Sequence, residues 1–194
     1  MTKSYYFKTN TLLKNLVGKD LINDDNIAIV ELVKNSYDAG SPTVEVVFEK
    51  LTEEGSTNSG SRILIRDVGA GMTLADIQDK WLNIAYSEKK KIAQENGAYY
   101  AGNKGIGRFS CDRLGARLDL LTRCKKGDVL HLPIAWPDFE IEGEKDLLIQ
   151  NIPLYIKAID ATDVTEISGL KSFPAHGTVL AISHLRSSWS RERL

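Results

Sequence analysis

Glu31-Leu32-Val33-Lys34-Asn35-Ser36-Tyr37-Asp38-Ala39-Gly40, closed by Ser41-Pro42, is the stretch from which the fold can be read. At about 3.6 residues per turn, Glu31, Asn35 and Asp38 fall at i, i+4 and i+7 of one helix and share a face. Ile27, Ile29, Val30 and Val33 recur at helical spacing, and Asp or Asn at residues 23–26 can cap the first free amides. Gly40 followed by Pro42 stops the helix. A helix over about Asp25–Ala39 is therefore predicted, with two carboxylates and an amide on one stripe. The solvent face of any amphipathic helix has the same composition, so the stripe takes its meaning from its surroundings.

Upstream, Leu12, Leu13, Leu16 and Val17 predict an earlier helix, broken at Gly18–Asp24. Downstream, Val44, Val46 and Phe48 alternate within Thr43–Glu49, and Ile63 and Ile65 do so within Arg62–Asp67, the pattern of paired strands. Thr52–Ser61 between them is rich in Gly, Ser, Thr and Asn, and is expected to be a solvated, disordered hairpin tip. Thr73 can cap a helix through Leu74, Ile77, Trp81 and Leu82, after which Ser87–Lys104 turns polar and lysine-rich and is expected to be a mobile loop. A short helix at Arg108–Leu114 precedes strands at Arg117–Arg123, Val129–Ala135, around Leu147–Ile156, and at Thr178–Ser183. Helices and strands mix without strict alternation, so the expected class is α+β, a two-layer sandwich rather than a doubly wound sheet.

Composition narrows the functional classes. A chain of 194 residues with 42% hydrophobic content can bury the core of one domain. Lys and Arg total 25 against 26 Asp and Glu, a net charge of −1, so nucleic-acid binding is not implied. No apolar run reaches the roughly 20 residues needed to cross a bilayer, and the polar start MTKSYYFKTN lacks a secretory pattern. A soluble, cytoplasmic protein without membrane partners is expected. Cys111 and Cys124 make neither a disulfide framework nor a CxxC pair, and the three histidines have no metal-ligand spacing.

Three further motifs carry chemistry. Asp67-Val68-Gly69-Ala70-Gly71-Met72 follows an apolar strand, with glycines that permit close approach of a flat ligand. Read by itself it is an ordinary strand-to-helix turn, and it is no dinucleotide fingerprint, because Leu74 stands where the third glycine of GxGxxG belongs. Gly102-Asn103-Lys104-Gly105-Ile106-Gly107 opens a helix and gathers free amides suited to phosphate. Counted from Gly97 it has P-loop spacing, but Asn103 replaces the required lysine. Gly177-Thr178 leads into the last apolar strand and alone is only a strand start.

Taken in order, ExxxNxxDA at Glu31–Ala39, DxGxGM at Asp67–Met72, GxxGxG at Gly102–Gly107 and GT at Gly177–Thr178 resemble the GHKL, or Bergerat-fold, ATPases. That superfamily includes gyrase B, heat-shock chaperones, sensor histidine kinases, MutL and the MORC proteins. The resemblance covers about residues 12–183. It implies an α/β sandwich with helices on one face of a mixed, mostly antiparallel sheet. Residues 1–183 would form the ATP-binding domain with a lid at about 87–107, and 184–194 a tail or linker to a further C-terminal region.

By the same resemblance Glu31 acts as general base on the attacking water and Asn35 ligates the magnesium of Mg-ATP. Asp67 accepts a hydrogen bond from the adenine amino group, assisted by Thr178. Gly71 lies against the base and Met72 walls the pocket, Gly69 is a further nucleotide-binding residue, and Asp38 is in support. Gly102, Lys104, Gly105, Ile106 and Gly107 wrap the phosphates, Lys104 being either an extra cation or a solvated loop lysine. Asn83 reads either as a pocket residue or as a surface amide, and Tyr5, Tyr6 and Phe7 either as core or as part of an ATP-dependent homodimer interface.

The chemistry agrees. Mg²⁺ needs few protein oxygens when phosphate and water complete its shell. A carboxylate one turn away can deprotonate water for in-line attack on the γ-phosphate, and an acceptor-only carboxylate prefers adenine to guanine. The implied activity is slow, Mg-dependent ATP hydrolysis driving a conformational switch in a larger protein, with ATP/ADP and downstream domains as partners. Two alternatives stand beside it: a histidine-kinase-type domain acting on a partner histidine, and a module that holds ATP without hydrolysis. Two features depart from the family pattern, Val68 after the adenine-binding aspartate and the unmatched segment from about Glu140 to Ala175.

Overall fold

The computed structural model describes residues 3–8, 24–83, 109–139, 151–190 and 192. The expected first helix, the lid at 87–107 and the start of the strand placed around Leu147–Ile156 lie outside these residues. In chain order the elements are β1 (Ser4–Tyr5), α1 (Asp25–Asp38), β2 (Val44–Glu49), β3 (Arg62–Asp67), α2 (Leu74–Asp76), α3 (Ser110–Leu114), β4 (Gly115–Arg123), β5 (Val129–Ala135), β6 (Leu154–Tyr155), β7 (Lys157–Ile159), α4 (Ala161–Ser168) and β8 (Gly177–Leu185). Six strands form one sheet in the order β2-β3-β8-β4-β5-β7, and every neighbouring pair is antiparallel. β1 and β6 form a separate two-stranded ribbon.

Strand alternation sends one set of side chains to each face. Ile63 and Ile65 of β3, Leu118 and Leu120 of β4, Leu132 and Ile134 of β5 and Ile182 of β8 are buried with Ala28 and Leu32 of α1 in the main core. The opposite set, Leu121, Val129 and Val179, is buried with Val164 of α4 and with Phe173. The α+β sandwich is thus the fold observed. It differs from expectation in one respect: α4 covers the second face, whereas all helices were expected on one. The sequence holds the signals for α4, since Asp160 caps Thr162 and Asp163 at 2.8 and 3.0 Å and Gly169 ends the helix at φ 69°.

Two other expectations change. Thr52–Ser61 is a folded loop and not a disordered tip, because its own polar side chains satisfy its backbone. Asn58 Nδ2 and Ser61 Oγ both donate to the Lys50 carbonyl, at 2.9 and 2.8 Å, and Ser61 is 1% exposed. The chain past 183 also packs: β8 runs to Leu185, and buried Trp189 sits 5.1 Å from the Phe48 ring and exchanges hydrogen bonds with Thr57.

Near the start of the chain, Phe7 lies at the centre of an aromatic cluster with Trp81, Phe109, Trp136 and Phe139, at centroid distances of 5.6 to 6.3 Å. Tyr5 is buried with it and Tyr6 is exposed. The helix capped by Thr73 and Asp76 continues as a wider π-turn over Ile77–Trp81. None of the helices among the described residues is long and apolar enough to cross a membrane.

Candidate functional site

α1 begins where Asp24 Oδ1 accepts from the amides of Asn26 and Ile27, at 2.7 and 3.2 Å, which fixes its rotational phase. Leu32 and Ser36 then face the sheet, and Asn35 is exposed while Glu31 and Asp38 are half-buried. The Glu31 carboxylate meets Lys34 Nζ at 2.8 Å across one turn.

β3 delivers Asp67 to the end of the sheet, where it is 8% exposed. Its Oδ1 accepts from the amides of Gly69 at 2.9 Å and Thr178 at 3.1 Å, and its Oδ2 from Ser36 Oγ at 3.1 Å. Burial raises the carboxyl above its ordinary value of 3.8, while the bonds from Gly69, Ser36 and Thr178 pull the other way. Asp67, Gly69 and Thr178 are thereby brought together, and Ser36 joins them to the helix that carries Glu31 and Asn35.

The turn after Asp67 is pinned residue by residue. The Val68 amide donates to Ser41 Oγ at 2.9 Å, the Ala70 amide to the Ala39 carbonyl at 2.9 Å and the Met72 amide to Thr122 Oγ1 at 2.9 Å. At Gly71, φ is 69° and a Cβ would sit 1.9 Å from the Arg123 carbonyl oxygen, so only glycine fits. Gly177, at φ 136°, lies against Asp67 just as closely, its own Cβ position being 2.2 Å from the Asp67 carbonyl oxygen. Thr122 Oγ1 is 3.1 Å from Thr178 Oγ1, and Met72 packs on the main core.

Gly102, Lys104, Gly105, Ile106 and Gly107 lie outside the described residues. Asn83 is half-buried and bridges to Lys8. Sequence reasoning missed Ser36, Ser41, Thr122 and His176, all of which hold this site. Only Ser36 was discoverable, one residue beyond Asn35 and hence on the core side of the same helix. No group of three metal-ligating side chains occurs among the described residues.

Residues 23–168, well over half of the chain, match the family described as histidine kinase-, DNA gyrase B-, and HSP90-like ATPase. The chain belongs to that family, whose domains bind ATP. A search of curated proteins finds no match.

Proposed function

We propose that this chain binds Mg-ATP and hydrolyses it slowly as the nucleotide-driven switch of a larger protein. The observation that carries the reading is the Asp67 carboxylate. It is buried and held by three donors, one from α1, one from the turn after β3 and one from β8, with unused acceptor capacity for an adenine amino group. A carboxylate so constrained discriminates adenine, which offers a donor, from guanine, whose corresponding edge carries an oxygen.

In this reading Asn35 contributes one oxygen to magnesium, and the metal, when bound, offsets charge on the phosphates. Glu31, one turn before Asn35, orients and deprotonates the attacking water. Asp38 supports the pocket, Gly69, Gly71 and Met72 border the base, and the amides of Gly102, Gly105, Ile106 and Gly107, with Lys104, meet the phosphates. Domain closure on ATP would change contacts with downstream domains or a second copy.

A second reading, ATP held without hydrolysis, is favoured by the Glu31–Lys34 pair, which occupies the proposed base. Titration and turnover decide between them. Asp67→Ala should weaken ATP binding more than tenfold, and Glu31→Ala should lower turnover about 100-fold while leaving binding in place. Affinity indifferent to Asp67→Ala refutes ATP recognition at this site, and equal nonzero rates with and without Glu31 refute its role as base.

A further inference from the structure

We infer that His176 is a positioning residue for purine recognition, acting through the Gly69–Ala70 peptide; the inference rests on the adenine site proposed above. His176 Nδ1 lies 2.6 Å from the Gly69 carbonyl oxygen. A carbonyl only accepts, so the imidazole donates from Nδ1. The other side of the same peptide plane is the Ala70 amide, which donates to the Ala39 carbonyl at 2.9 Å. The plane is therefore held from both edges: from α1's C-terminal end by Ala39, and from the approach to β8 by His176.

That plane matters because it borders the base-facing turn. The preceding amide, Gly69 N, donates to Asp67 Oδ1. A Cβ at Gly69 would lie 2.8 Å from the Ala39 carbonyl oxygen, so the turn is already in close contact with α1. Glycine on both sides of Ala70 gives this turn a wide choice of peptide orientations. A donor on the carbonyl removes the alternatives in which Gly69 O points elsewhere and the amide set around Asp67 is lost.

His176 can do this because the chain on either side of it is held. Arg62 Nη1 and Arg66 Nη2 donate to the carbonyls of Ile167 and Ser168 at 2.6 and 2.9 Å, which also neutralises the negative end of α4. Arg123 Nη2 donates to the Phe173 carbonyl at 2.9 Å and also to that of Pro174. Directly after His176, Gly177 is locked against Asp67. The segment leading to β8 is thus strapped to the second face of the sheet, and its imidazole reaches round the sheet end to the turn.

The test compares the full 194-residue chain with His176→Ala, His176→Asn and Asp67→Ala by calorimetric titration with ATP, with thermal melting as a check on folding. Asn can place an amide N–H where Nδ1–H stands, so it separates the hydrogen bond from the bulk of the ring. Loss of one such bond corresponds to about a fivefold weakening. We expect about fivefold weaker ATP binding in His176→Ala and recovery to within about twofold of the parent in His176→Asn. Unchanged affinity in His176→Ala, with Asp67→Ala strongly impaired, overturns the role of His176 and leaves the adenine site standing. Equal weakening in the Ala and Asn variants also overturns it, since the donor would then be irrelevant. Indifference of binding to Asp67→Ala overturns the adenine site, and the role of His176 with it.

Discussion

Gly71 and Gly40 offer a matched pair of substitutions. Both hold left-handed backbone, at φ 69° and 74°, but nothing lies within 4 Å of a Cβ at Gly40, whereas one at Gly71 would be 1.9 Å from the Arg123 carbonyl oxygen. The left-handed conformation costs an L-residue about 1–2 kcal/mol, and this is the whole expected effect of Gly40→Ala. In Gly71→Ala the turn and the β4 end must separate until that contact opens from 1.9 Å to at least 3.0 Å. Overpacking of that kind adds about 1–3 kcal/mol, for a total of about 2–5 kcal/mol. The same movement draws the Met72 amide off Thr122 Oγ1, so ATP binding should be lost in Gly71→Ala and kept in Gly40→Ala. Urea unfolding at constant m-value reads the stability difference directly. Unfolding free energies for the two variants within about 0.5 kcal/mol of each other, a difference ordinary for unconstrained sites, would refute the packing argument.

ATP affinity should fall on acidification, beginning above the ordinary aspartate value of 3.8, because burial raises Asp67 and only its ionised form keeps both oxygens as acceptors. Asp67→Asn should remove this acid limb, and a parent profile that stays flat through the usual carboxylate range would contradict the assignment. Trp189→Ala should destabilise the fold by about 3–5 kcal/mol through the void left against Phe48; a change below about 1 kcal/mol in denaturant would show that residues 186–190 are dispensable.

What could be read from the sequence was whatever is encoded locally. α1 announced itself through apolar spacing, an Asp cap and a Gly-Ser-Pro stop, and β2, β3, β4, β5 and β8 through alternation. Asp67 stood out because glycines crowd the turn behind it, and the structure supplies the reason in the closeness of Gly71 to Arg123. Thr122 and His176 could not be found this way. Thr122 matters only because strand register sets it opposite Thr178, and His176 only because its ring reaches Gly69, which is 107 positions away in sequence. The Thr52–Ser61 loop misled for a related reason: polar composition is common to solvated tips and to loops that satisfy themselves. α4 was overlooked because its few apolar residues, chiefly Val164 and Ile167, are too sparse for periodicity to register.

The stretch that identifies the family and the stretch that folds are different lengths of chain. The family match ends at residue 168, yet β8, which starts at Gly177, lies between β3 and β4 in the middle of the sheet. It begins at residue 23, yet Phe7 supplies the central ring around which Trp81, Phe109, Trp136 and Phe139 gather. An expression fragment trimmed to residues 23–168 would therefore split the sheet in two and hollow out its aromatic hub. Excision at those limits should yield an aggregating polypeptide, while fragments retaining Ser4 through Trp189 keep every layer closed.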